Sequence, residues 1–171
     1  GAVIAGASPQ PSLVPVPSTP PTWVTGNLGL APSCNDGETV VDPGPVVRTR
    51  GGECSPQTWT TSDPRLTGEV SWRWNADEYR TDDGAYEFDT TAAYLRNDGG
   101  GWTCMDIRLW TYGGSAVTDG SADSTFTCVG DGGYAGLSAI LVIGDAPGGG
   151  TGIMGLVVDG DFPPVPEPPA V

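Results

Sequence analysis

The run from Trp102 to Ile143 constrains the fold more than any other part of the chain. It contains two of the four cysteines, Cys104 and Cys128, within segments of alternating polar and apolar residues, and a glycine-rich turn at positions 130–136. Alternation with a period of two is typical of strands with one buried face, and clustered glycines permit tight turns. This run therefore predicts paired antiparallel strands, against which the remaining chain must pack.

The rest of the sequence extends the same pattern. The 27 glycines and 17 prolines leave no long stretch with helical periodicity, which favours an all-β protein with many turns. Alternation is cleanest from Leu66, with Val70, Trp72 and Trp74 on one face; the acidic stretch at 75–84 is predicted to be a loop. Further strands are predicted near 85–96, 102–112, 124–130, 137–143 and 152–158. We therefore expect an antiparallel barrel of seven or eight strands, with a sandwich as the alternative.

Proline-rich segments mark both ends of this β region. Residues 1–33 are predicted to form an N-terminal arm, 34–162 the β domain with Phe162 closing it, and 163–171 a second proline-rich tail. Proline fixes φ and removes a backbone donor, so such segments adopt extended chain and do not form helices or central strands.

The four cysteines indicate two disulfides. None lies in a CxxC pair and the chain has no histidine, so a zinc site is not expected. Three pairings are possible, and sequence order together with the hairpin-like regions favours Cys34–Cys54 and Cys104–Cys128. Disulfides persist in oxidising compartments, which predicts a secreted protein, free or associated with the cell surface.

Composition excludes several function classes. The net charge is −14, which disfavours nucleic acid because phosphate binding needs a basic surface. No apolar run reaches the roughly 18 residues that a membrane helix requires, so membrane insertion is not expected. Without histidine or lysine, Ser-His-Asp catalysis, Schiff-base chemistry and P-loops are ruled out. We predict no catalytic residues and no enzymatic activity.

The strand beginning at Trp102 has two different faces. Met105, Ile107 and Leu109 form the apolar face. The other face mixes aromatic residues with an acid–base pair and comprises Trp102, Cys104, Asp106, Arg108, Trp110 and Tyr112.

Three interpretations of the Asp106–Arg108 pair are open. The simplest is an exposed ion pair on the solvent face, which contributes under about 1 kcal/mol. In the second, the pair lies inside a barrel with Trp102, Trp110 and Tyr112, where it could hold a small ligand. In the third, the face is an interface, where Trp, Tyr and Arg are favoured.

Two other features have a simple and a functional interpretation. Trp72 and Trp74 are expected to pack in the core beside Val70, and the alternative is a platform for stacking carbohydrate. Asp119, Ser121 and Asp123 have the spacing of a calcium loop, but Ser124 replaces the required glycine and Gly130 the bidentate glutamate. We therefore favour a solvated loop, no metal site and no cofactor, with calcium as the only candidate.

Short glycine-rich motifs resemble a known fold. The segment GDGGYAGL at 130–137 resembles the glycine-rich hairpin of dirigent-like and allene-oxide-cyclase-like β-barrels. SDPRLTG at 62–68 and NDGGGW at 97–102 resemble small secreted bacterial proteins of unassigned function. The resemblance covers about residues 62–169 and implies an eight-stranded antiparallel barrel. Such barrels use acidic, arginine and tyrosine groups inside, which the resemblance does not assign to positions in this chain.

These observations predict a secreted, non-catalytic structural or assembly subunit. Its N-terminal arm would contact neighbouring copies or another extracellular partner. The alternatives are a barrel that binds a small ligand, or a barrel enzyme of cyclase or isomerase type. A ligand-binding barrel would need an internal cavity of roughly 300 Å³ or more.

Overall fold

The structure is a computed structural model, and it describes residues 20–30, 33–35, 37–41, 44, 46–82, 84–113, 116–117, 124–146 and 149–161, without the side chains at 41, 109–113 and 116–117. These residues form eleven strands and one 3₁₀ turn. The strands are β1 Thr22–Leu28, β2 Cys34–Asn35, β3 Glu38–Val41, β4 Val46–Thr61, β5 Gly68–Thr81, β6 Gly84–Asn97, β7 Gly100–Gly113, β8 Ala116–Val117, β9 Ser124–Gly132, β10 Leu137–Asp145 and β11 Thr151–Asp159. No helix in the described part of the chain has the length and apolar character needed to cross a bilayer.

Eight strands form a closed ring. The order is β1–β11–β10–β9–β7–β6–β5–β4, and β4 pairs with β1 to complete it. Every pairing is antiparallel. The prediction of an eight-stranded barrel is confirmed.

The first strand corrects the predicted domain boundary. β1 lies within the segment that was assigned to the arm, yet Val24 is fully buried and the strand pairs on both sides. A closed ring needs a strand between β11 and β4, and β1 occupies that position. Residues 1–19, Phe162 and the predicted tail at 163–171 lie outside the described residues.

Both predicted disulfides are confirmed, and each joins residues directly opposite each other on paired strands. Cys104–Cys128 links β7 to β9, and both cysteines are fully buried in the barrel. Cys34–Cys54 links β2 to β4, and Cys34 is exposed.

Strands β4 to β7 are longer than the others and extend past one end of the barrel. β7 pairs with β9 only from Gly100 to Met105 and continues to Gly113 beside β6. The predicted loop at 75–84 was wrong, because β5 continues to Thr81 and pairs with β6 as far as Gly84. Beyond the ring these strands carry polar side chains together with exposed apolar ones, among them Tyr79, Phe88 and Ile107.

The opposite end of the barrel is closed by the 3₁₀ turn Pro64–Leu66. Leu66 is fully buried in the core. Asp63 caps the turn by accepting from the Arg65 backbone N–H at 3.0 Å, and its carboxylate pairs with the Arg65 guanidinium at 2.6 Å. This hydrogen-bonded guanidinium lowers the pKa of Asp63 below its usual value.

Three turns meet at this closed end. The Asn97 side-chain amide donates to backbone carbonyls of the 3₁₀ segment, most closely to Thr67 at 2.8 Å. Its carbonyl oxygen accepts from the Tyr134 hydroxyl at 2.7 Å. Trp102 stacks on Tyr134 with 5.7 Å between ring centroids and donates its indole N–H to the Arg65 carbonyl at 2.9 Å. The three short motifs at 62–68, 97–102 and 130–137 therefore act together as a structural plug.

Candidate functional site

The inward face of each long strand becomes more polar towards the open end of the barrel. On β7 this face runs from the fully buried Trp102 and Cys104 to Asp106 and Arg108. On β6 it runs from buried Leu95, Ala93 and Thr91 to half-buried Asp89. The barrel is thus filled by apolar side chains at one end, and at the other β6 and β7 contribute polar ones.

Asp106 and Arg108 form an ion pair inside the barrel. Arg108 Nε lies 2.9 Å from Asp106 Oδ2, and the side chains are 26 % and 3 % exposed. Of the three interpretations of this pair, the structure contradicts the exposed pair on the solvent face and places the two side chains inside the barrel. The apolar face of β7 is the one that points outward, because Met105 and Ile107 are 48 % and 68 % exposed.

Burial determines the electrostatics of Asp106. Desolvation raises the pKa of its carboxyl group above the usual value, and the positive charge of Arg108 opposes this shift. The carboxylate also accepts hydrogen bonds from the Ser124 hydroxyl and from the backbone N–H groups of Ile107 and Thr125. Arg108 Nη2 is 3.5 Å from the Thr91 hydroxyl oxygen. Asp106 therefore anchors the guanidinium at the bottom of the open end.

A cavity of about 380 Å³ lies above this pair and opens to solvent. Its lining combines two indole rings, a disulfide sulfur, a carboxylate, a guanidinium and several smaller polar groups. The lining residues are Leu28, Gly29, Cys54, Gln57, Trp72, Trp74, Asp89, Thr91, Arg108 and Thr151. This composition, apolar walls with a few polar groups, is typical of small-molecule sites.

The two tryptophans of β5 are held differently. Trp72 contacts the core edge-on, with 5.7 Å to each of the Trp59 and Phe126 ring centroids. Trp74 lies over Gly52, its partner on β4, and a Cβ at position 52 would overlap the indole ring. Because Gly52 has no side chain, the Trp74 indole ring packs directly on the backbone there, and the rest of the ring lines the cavity.

Buried donors without acceptors lie directly beneath this cavity. Among the described residues, neither the Trp59 nor the Trp72 indole N–H has a hydrogen-bond partner. Most buried polar groups in folded proteins do have one, and these two donors belong to contacting rings whose centroids are 5.7 Å apart.

The structure separates the predicted ligand-binding residues. Arg108 lines the cavity and Asp106 lies beneath it, whereas Trp102 is a core residue at the closed end. The side chains of Trp110 and Tyr112 lie outside the described part of the structure. The calcium candidates Asp119, Ser121 and Asp123 also lie outside it, and the residues that are described contain no group of three potential metal ligands.

Among the residues of the cavity that sequence analysis missed are the polar ones Gln57, Asp89, Thr91 and Thr151. Gln57 is buried and its amide donates to the carbonyls of Gly29 and Leu30 at 3.0 and 3.2 Å. The signal for Asp89 and Thr91 was their spacing of two from Ala93 and Leu95, which places all four on one face. Their polar character suggested the solvent side, but that face lines the barrel.

Comparisons with protein-family models, curated proteins and solved structures give no match to this chain.

Proposed function

We propose that this protein is a secreted, non-catalytic barrel that binds a small molecule in its open end. The observation that carries the proposal is the cavity of about 380 Å³, which lies within the roughly 300–1,000 Å³ of typical ligand sites. Its polar groups are held by the strands of the barrel and are therefore largely pre-organised, which reduces the entropy lost on binding. Two disulfides support the assignment to an oxidising compartment.

Two other functions remain less supported. A cyclase or isomerase would use a carboxyl group of shifted pKa in contact with its substrate, but Asp106, whose pKa is raised, is 3 % exposed and does not line the cavity. The assembly function depends on the N-terminal arm, most of which lies outside the described residues, and so it stays a prediction.

Binding can be tested with neutral ring compounds of fragment size, detected by ligand-observed NMR. Arg108→Met and Trp74→Leu alter the cavity lining and should each weaken binding about tenfold or more, a loss of about 1.4 kcal/mol. Arg73→Met and Trp23→Leu are matched controls, because Arg73 and Trp23 are 66 % and 71 % exposed on the outer face. Compounds that bind equally to all four variants, or to none including the parent protein, would refute a binding site in the barrel.

A further inference from the structure

We infer that the ligand is a neutral saccharide, bound with one ring face against the tryptophans of β5. This inference rests on the proposed function and specifies the chemical class of the ligand. Three independent features of the cavity support it: its aromatic wall, its mixture of hydrogen-bonding groups and its charge.

The aromatic wall is a flat surface at a fixed position. Trp72 and Trp74 stand two residues apart on the same face of β5, and both line the cavity. Trp72 is held by its edge contacts with Trp59 and Phe126, and Trp74 is held by packing on the backbone of Gly52. The face of an indole ring is electron-rich, and the C–H groups on one face of a pyranose carry a small positive charge. The two surfaces are therefore complementary in shape and polarity.

The polar lining offers donors and acceptors side by side. Arg108 can only donate and an ionised Asp89 can only accept, and these residues are direct neighbours across β6 and β7. Thr91, two residues from Asp89, can do both. A hydroxyl group also donates and accepts, so a ring with adjacent hydroxyls is complementary to this mixed set.

Charge disfavours an anionic ligand. Asp89 and Asp106 outnumber the single guanidinium of Arg108 in and beneath the cavity, and the whole chain carries a net charge of −14. An anion would be repelled by this excess of negative charge. A neutral ligand avoids this cost.

The experiment is a titration of the ¹⁵N-labelled full chain with glucose, galactose, mannose, N-acetylglucosamine and glucuronic acid, followed by backbone amide NMR. At least one neutral sugar should shift amides of β5 and β6 around Trp74 and Thr91, with saturation at millimolar concentration, on the order expected for a single small ring. Glucuronic acid should bind at least about fivefold more weakly than glucose at low salt, and added salt should narrow this gap.

Variants test where the sugar lies. Trp74→Ala should weaken binding about tenfold, Trp74→Phe should retain part of it because a ring remains, and Trp23→Ala should leave it unchanged. If Trp23→Ala weakens sugar binding and Trp74→Ala does not, the sugar binds on the outer face and the inference is overturned. If no sugar shifts the cavity amides while the neutral fragments still bind there, the saccharide assignment fails and the binding function stands. If neither binds, both proposals fail.

Discussion

The two ends of this barrel differ in whether their buried polar groups are hydrogen-bonded to other protein groups. At the closed end Asp63, Asn97 and the Trp102 indole N–H all have protein partners, and the rings and turns fit around them. Below the open end the indole N–H groups of Trp59 and Trp72 have none among the described residues. A carboxylate is also buried there with a raised pKa. The difference shows that the buried polar groups of the closed end are bonded within the protein, and it agrees with the proposal that a ligand binds at the open end.

The same contrast assigns a role to the short glycine-rich motifs. The segments around Asp63, Asn97 and Tyr134 are the most distinctive in the sequence, and all three lie in the plug at the closed end. Gly136, with a φ of 85°, is in the turn that follows Tyr134 and supplies a left-handed conformation that other residues avoid. These motifs define the architecture, while the cavity is lined by residues in ordinary strand positions.

The sharpest test of the contrast compares two tryptophans. Trp102→Ala at the closed end should lower the free energy of unfolding by about 3–5 kcal/mol, because it removes a fully buried ring and the donor to the Arg65 carbonyl. Trp74→Ala at the open end should cost about 1 kcal/mol, since one side of that ring already borders the cavity. Urea denaturation with both disulfides intact measures the two losses. Similar losses would mean that the two ends pack equally well.

The disulfides provide the next test. Removing Cys34–Cys54 by a double alanine substitution should cost about 3 kcal/mol in the chain-entropy account, and the sequence separations of 20 and 24 are nearly equal for the two bridges. Replacing Cys104 and Cys128 should cost more, since both are fully buried and their loss also leaves a void.

Reduction kinetics separate the two bridges independently of stability. Mild reductant should open Cys34–Cys54 first, because Cys34 is exposed and thiol attack needs access. Alkylation followed by mass spectrometry identifies which cysteines react. Earlier labelling of Cys104 and Cys128 would show that the core of the barrel opens more readily than the region around Cys34 and Cys54.

The smallest expected effect depends on pH. The lowered pKa of Asp63 means that the folded state binds fewer protons than the unfolded state as the carboxyl titrates, so its contribution to stability is present above the usual aspartate value of about 4 and is lost as the pH falls. Asp63→Asn should therefore cost about 1–2 kcal/mol near neutral pH, and this cost should shrink in acid. The raised pKa of Asp106 has the opposite effect. The contribution of Asp106 to the free energy of unfolding decreases as the pH rises above about 4.

Thermal unfolding of the parent and of Asp63→Asn between pH 2.5 and 7 measures this dependence. The melting temperatures of the two proteins should converge as the pH approaches 2.5. A cost that is constant across the pH range would show that the titration of Asp63 does not contribute to stability, and no cost at any pH would show that Asp63 acts only through its cap hydrogen bond, which asparagine retains.

Part of this fold was predictable because it follows from local chemistry. The alternation of Val70, Trp72 and Trp74 identified β5 and its inward face, and the strands predicted near 85–96 and 102–112 correspond to β6 and β7. The disulfide pairing followed from the order of the cysteines. β1 was missed because it adjoins two prolines and its inward positions include Gly26, so it lacks the apolar alternation that marks a strand.

The candidate site was less predictable because it depends on which face of a strand points inward. Hydrophobicity suggests that Met105 and Ile107 should face the core and Asp106 and Arg108 the solvent, and the structure shows the reverse. A strand that borders a cavity is not required to place apolar residues inside. The pairing of Asp89 with Arg108, and of Trp74 with Gly52, joins residues distant in sequence and follows only from strand register.

The pairing of β1 with β11 has a consequence for how the molecule is made. Thr22 lies opposite Val157, so the first described strand completes its hydrogen bonds only after the last one has been synthesised. Until then the growing chain can form hairpins and oxidise both pairs of cysteines, but it remains an open sheet with two unprotected edges. Such a chain is therefore most prone to aggregate before its last strand is synthesised. Pairing of that strand with β1 covers both exposed edges and protects the chain.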